Sequence, residues 1–63
     1  MLFVRRHSKL VPELLYVIDA DGRVVAKANT RHGEVWKTKG SRVSMATVRA
    51  AIADSGFRVV GRG

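Results

Sequence analysis

Two four-residue runs, Asp19-Ala20-Asp21-Gly22 and Thr30-Arg31-His32-Gly33, constrain this chain more than any other feature. Each opens on a turn-favouring polar residue and closes on glycine. That is the pattern of a type I turn followed by a glycine in the left-handed region, which makes a three-residue hairpin loop with a G1 bulge. The segment from Glu13 to Lys39, ELLYVIDADGRVVAKANTRHGEVWKTK, therefore reads as three consecutive antiparallel strands.

Loop length sets register, and a slip of one residue sends every side chain of a strand to the other face. With Ala20, Asp21 and Gly22 as the first loop, Ile18 falls opposite Val24, Val17 opposite Val25, Tyr16 opposite Ala26 and Leu15 opposite Lys27. With Arg31, His32 and Gly33 as the second, Asn29 falls opposite Val35, Ala28 opposite Trp36 and Lys27 opposite Lys37. One face then carries Leu14, Tyr16, Ile18, Val24, Ala26, Ala28 and Trp36 and no charge, so it is the expected core face. A two-residue Asp21-Gly22 loop would mix charged and apolar positions on both faces.

Length and composition bound how large that core can be. At 63 residues the chain reads as one small domain spanning 1–63, and a domain of this size buries only about 60% of the surface its unfolded chain exposes. There is no cysteine, which removes disulfides and cysteine-ligated zinc. Twelve Lys and Arg against five Asp and Glu give a formal charge of +7. A balance this basic favours polyanionic partners: nucleic acid, an anionic membrane or an acidic protein surface. No apolar run approaches the ~20 residues that cross a bilayer, and the N-terminus lacks the apolar core of a secretory signal. The expectation is a cytoplasmic protein without a membrane partner.

Residues 1–12 are free of acidic side chains and carry Arg5, Arg6, His7 and Lys9 between two apolar patches. They read as a basic N-terminal arm or an edge strand. After the third strand comes a polar, basic loop. Ser44 is a suitable N-cap for a helix over Met45 to Ser55, with Met45, Val48 and Ile52 on one stripe widened by Ala51. Gly56 in the left-handed conformation would close that helix in a Schellman motif, bringing Phe57 against Ile52. Phe57 to Val60 has strand composition and would run beside the first sheet strand. The expected fold class is α+β: a three-stranded antiparallel meander with one helix on one face (βββα), plus short N- and C-terminal strands.

With the helix on the uncharged face, Leu15, Val17, Arg23, Val25, Lys27, Val35 and Lys37 are left on the other. Lys27 and Lys37 come out opposite each other, and like charges so placed repel unless an anion lies over them. Lys39 and Arg42 extend the basic track, Arg5 and Arg6 add to it from the N-terminus, and Asn29 can donate to a base edge or a phosphate. The candidate nucleic-acid-binding residues are thus Arg5, Arg6, Arg23, Lys27, Asn29, Lys37, Lys39 and Arg42. Strand lysines also serve simply to keep a sheet edge soluble and unpaired.

The layout from Tyr16 to Ile52, two tight hairpins and then a helix, resembles the arm-site DNA-binding domain of lambda-type phage integrases. More loosely it resembles the plant ethylene-response-factor domain. The resemblance covers about half the chain and is one of element order; it implies DNA binding by the sheet face. The functional expectation is a small regulator or accessory factor of a phage or mobile element that binds nucleic acid, double-stranded DNA before RNA. The alternative is a protein-interaction module, an inhibitor of an acidic partner enzyme or a homodimer, motivated by Leu15, Val17, Val25 and Val35 beside lysines on an uncovered face.

No catalytic, cofactor or metal site is expected. His7 and His32 are the only histidines, short of the four ligands of a closed zinc site. Lys39-Gly40-Ser41 lacks the upstream glycine of a phosphate loop. Ser41 and Ser44 have no base beside them in sequence, and Asp19 and Asp21 are accounted for as turn formers. Tyr16 and Trp36 are suited to stacking on bases, but the expected register puts both under the helix.

Overall fold

The structure, a computed structural model, describes residues 1–59. Its elements are β1 (Phe3–Arg6), β2 (Leu14–Ile18), β3 (Val24–Asn29), β4 (Glu34–Lys37) and α1 (Met45–Asp54). The strands form one antiparallel sheet in the order β1-β2-β3-β4, with α1 on one face, an α+β arrangement. The expected three-stranded meander gains a fourth strand from the basic N-terminal segment, which takes the edge-strand alternative and pairs along β2. That place beside β2 is the one expected for the C-terminal strand. Phe57 to Val59 form no strand, and Val60 lies outside the described residues.

Both hairpin turns form where the glycines require them. Gly22 and Gly33 have φ of 84° and 72°, a region where a side chain would be strained. In the first turn Asp19 anchors the loop: its Oδ1 accepts from the backbone N–H of Asp21 (2.9 Å) and Arg23 (3.0 Å), and its carbonyl accepts from Gly22. Ile18 then sits opposite Val24, as expected.

One pair further along, the register departs from the expectation. Ala26, not Val25, lies opposite Val17; Lys27 lies opposite Tyr16 and Ala28 opposite Leu15. Val25 is an extra residue, a β-bulge. The second hairpin shifts as well, closing with a four-residue loop that places Asn29 opposite Glu34, Ala28 opposite Val35, Lys27 opposite Trp36 and Ala26 opposite Lys37. Ala26 and Ala28 keep their expected face, while β2 and β4 are each turned over relative to it.

The core therefore comprises Leu15, Val17, Ala26, Ala28, Val48 and Ile52, each at most 2% exposed. Val4, Val25, Val35 and Phe57 pack around it. The reason is polar satisfaction and size. The expected face would have placed the Tyr16 hydroxyl and the Trp36 indole N–H under a ten-residue helix, each needing a hydrogen-bond partner there. The observed face is aliphatic throughout, and no polar or charged residue is buried among the described residues.

The helix follows its local signals. The Ser44 side chain accepts from the Thr47 N–H at 3.1 Å, and Val48 and Ile52 are its buried residues. At the C-terminus Gly56 has φ of 84°. The Phe57 N–H donates to the Ile52 carbonyl and the Gly56 N–H to that of Ala53, the two bonds of a Schellman motif. Phe57 is thereby returned to the core.

A pair of alanine substitutions tests the register. Leu15→Ala should cost about 2–5 kcal/mol, a large share of the stability of so small a domain. Leu14→Ala, on the other face, should cost well under half of that. Thermal denaturation followed by circular dichroism reads both; a larger loss at Leu14 would restore the uninterrupted register.

Candidate functional site

The face of the sheet away from α1 is built by pairing. Because directly opposed residues share a face, the three registers line up Arg5, Tyr16, Lys27 and Trp36 in one row across all four strands. Phe3, Ile18 and Val24 form the row toward the bulged end. Leu14, Asn29 and Glu34 form the row on the other side. The central row thus alternates cation, aromatic, cation, aromatic.

Tyr16 is the hub of that row. The Arg5 guanidinium lies 5.9 Å and the Lys27 ammonium 5.5 Å from its ring centroid, within cation–π range. The His7 ring meets it edge-on, with centroids 5.1 Å apart and planes at 88°. His7 is held there because its N–H donates to the Leu14 carbonyl, continuing the β1–β2 ladder by one residue. Trp36, on edge strand β4, is 39% exposed, and Phe3, on edge strand β1, is 55% exposed.

The sequence-expected residues do not gather on a single surface. Arg5 and Lys27 are on the open face. Arg6 points to the helix side, its guanidinium 5.3 Å from the Phe57 ring centroid. Lys37 lies opposite buried Ala26 and so also stands on the helix side of β4. The expected Lys27–Lys37 pair therefore does not exist; the lysines emerge on opposite faces. The side-chain oxygen of Asn29 accepts from the N–H groups of Arg31 and His32 at 3.0 Å each, closing the second turn. Turn formation is the role the geometry gives that oxygen; the donor expected to reach a base or phosphate is the side-chain NH2 group, which these two bonds do not use.

Arg23, Lys39 and Arg42 line a shallow depression beyond the bulged end of the sheet, together with Asp19, Thr38 and Gly40. Gly40, with φ of 83°, turns the chain there. This is the densest group of expected site residues. Leu15, Val17, Val25 and Val35, read from the sequence as an exposed apolar cluster, belong instead to the core and its margin.

The residues that sequence reasoning left out are Phe3, His7, Tyr16 and Trp36. No sequence signal fixed them: Leu2-Phe3-Val4 is apolar at every position, and only the observed β1–β2 register puts Val4 with Val17 and Arg5 with Tyr16. Among the described residues no group of three or more His, Asp or Glu is placed to hold a metal ion. No helix among them is long and apolar enough to cross a membrane. No protein-family model, curated protein or solved structure significantly matches this chain.

Exposure of the only tryptophan gives a direct optical test. At 39% exposure, Trp36 should emit to the red of a buried indole and be accessible to iodide, which the neighbouring cations attract. A blue-shifted, quencher-resistant emission would return Trp36 to the core.

Proposed function

We propose that this protein binds nucleic acid through the open face of its sheet. The observation that carries this reading is the central row, in which two cations alternate with two aromatic rings on the face of the sheet away from α1. Cations supply charge for phosphates, and their neutralisation releases condensed counterions, which is the main source of sequence-independent affinity. Exposed rings supply flat apolar surface that every base can meet. A protein of net charge +7 adds long-range attraction that raises the association rate.

The depression lined by Arg23, Lys39 and Arg42 extends the same basic surface past the end of the sheet. It offers phosphate contacts beyond the row, which would position a bound strand without reading its sequence. Arg6 and Lys37, on the helix side, fall outside this reading. A regulatory or accessory role would act through this face. A second reading, self-association, is favoured by Phe3 and Trp36, two exposed apolar side chains on the opposite edge strands.

A salt titration of binding tests the proposal. For the 63-residue chain on a labelled oligonucleotide, log affinity should fall linearly with log salt, at roughly 0.7–0.9 per phosphate neutralised. Arg5→Gln/Lys27→Gln should lower that slope by about 1.4–1.8. Lys37→Gln/Arg49→Gln, with Arg49 exposed on α1, removes the same charge from the helix side and should leave it within experimental error. No binding at low salt, or equal effects of the two pairs, would overturn the open-face reading. A salt-resistant dimer in sedimentation, lost on Trp36→Ser, would put self-association in its place.

A further inference from the structure

Resting on nucleic-acid binding by this face, we infer that the open face selects single-stranded nucleic acid and holds it by stacking bases on Tyr16 and Trp36, with Lys27 on the phosphate between them. The inference comes from the order and spacing of the central row. Tyr16 is on β2 and Trp36 on β4, with Lys27 of β3 paired to both. Neighbouring strands are about 4.8 Å apart, so the two ring-bearing positions are separated by about 10 Å across the sheet. Charge along one strand of a duplex recurs every ~3.4 Å of axis, and bases at that rise already stack on each other. A duplex cannot offer base faces to two rings about 10 Å apart, whereas an unstacked single strand can.

The cation in the middle of the row completes the match. Two bases splayed onto Tyr16 and Trp36 carry their linking phosphodiester across β3, where Lys27 emerges. Phe3 lies diagonally from Tyr16 on the adjoining edge strand β1 and is available to a further base. The interactions that now occupy the Tyr16 ring are Arg5 at 5.9 Å, Lys27 at 5.5 Å and the edge-on His7 ring at 5.1 Å; a stacked base displaces those on the ring face it takes, and phosphates take over the cations. Exposed cation–π contacts are weak enough for such an exchange. Duplex DNA, in contrast, would meet this face only through phosphates at its rim.

Direct comparison of substrates tests the inference. The full chain is titrated against a labelled 12-nucleotide single-stranded DNA of mixed sequence, the same sequence as a duplex, and the matching single-stranded RNA. Each single strand should bind at least about tenfold tighter than the duplex and quench Trp36 fluorescence, and the RNA arm reads whether the 2′-hydroxyl adds anything. Tyr16→Leu and Trp36→Leu should each weaken single-strand binding by about tenfold or more, with duplex affinity within twofold and the salt slope unchanged. Trp36→Phe, which keeps a ring, should restore most of the loss. Equal or tighter duplex binding, or single-strand binding that leaves Trp36 unquenched, overturns stacking while nucleic-acid binding stands. Absence of binding to all three substrates overturns both. The comparison on the native chain needs no variant, so a substitution that unfolds the protein does not obscure the answer.

Discussion

The bulge at Val24 and Val25 decides which side of this protein is core and which is surface. It is held from the neighbouring strand. Thr38, just past the end of β4, donates its backbone N–H to the Val25 carbonyl at 3.1 Å and its hydroxyl to the Val24 carbonyl at 2.9 Å. Both carbonyls at the irregularity are thereby satisfied, which removes much of the cost of breaking the ladder there. With Val25 absorbed, Leu15 and Val17 pass to the helix side and Tyr16 to the open side, and β1 must follow because Val4 and Arg5 pair with Val17 and Tyr16. A single inserted residue thus sets the faces of two strands.

The local features were legible in the sequence because each depends on a few adjacent residues. Glycine at a left-handed turn, serine at a helix N-terminus and the Gly56-Phe57 helix stop carry their own steric or hydrogen-bonding reasons. Register was not legible, and β2 shows why. Leu14-Leu15-Tyr16-Val17-Ile18 is apolar at every position, so the period-two test that separates faces returns the same answer in either register. The glycine signals give where a hairpin closes, but not whether the loop holds three residues or four, nor whether the ladder slips beyond it. At Asn29 the side chain, by accepting from Arg31 and His32, supports the longer loop. The candidate site was legible to the same degree. Arg5 and Lys27 were identified by charge, whereas the rings beside them were assigned to the core because the faces were inverted.

Charge and stability interact closely in a chain this short. A net charge of +7 destabilises the compact state by self-repulsion, and the fold limits this by spreading its cations. Arg5 and Lys27 face one side, Arg6 and Lys37 the other, and Arg23, Lys39 and Arg42 ring one end. On the open face the two cations lie against the same aromatic ring from opposite flanks. The negative face of that ring offsets part of their mutual repulsion.

The distribution of large apolar side chains is the least economical feature of the molecule. The buried core is made of leucine, valine, isoleucine and alanine, while Phe3 and Trp36 are substantially exposed and Tyr16 lies outside that core. Burying a large apolar side chain is worth roughly 1.5–3 kcal/mol, a sizeable fraction of what a small domain has to hold it together. Exposed cation–π contacts return only about 0.5–1 kcal/mol. A chain selected for stability alone would turn its rings inward, or replace them on the surface with polar strand formers. Keeping them outward, aligned by register and interleaved with cations, forgoes burial energy that the exposed cation–π contacts only partly return.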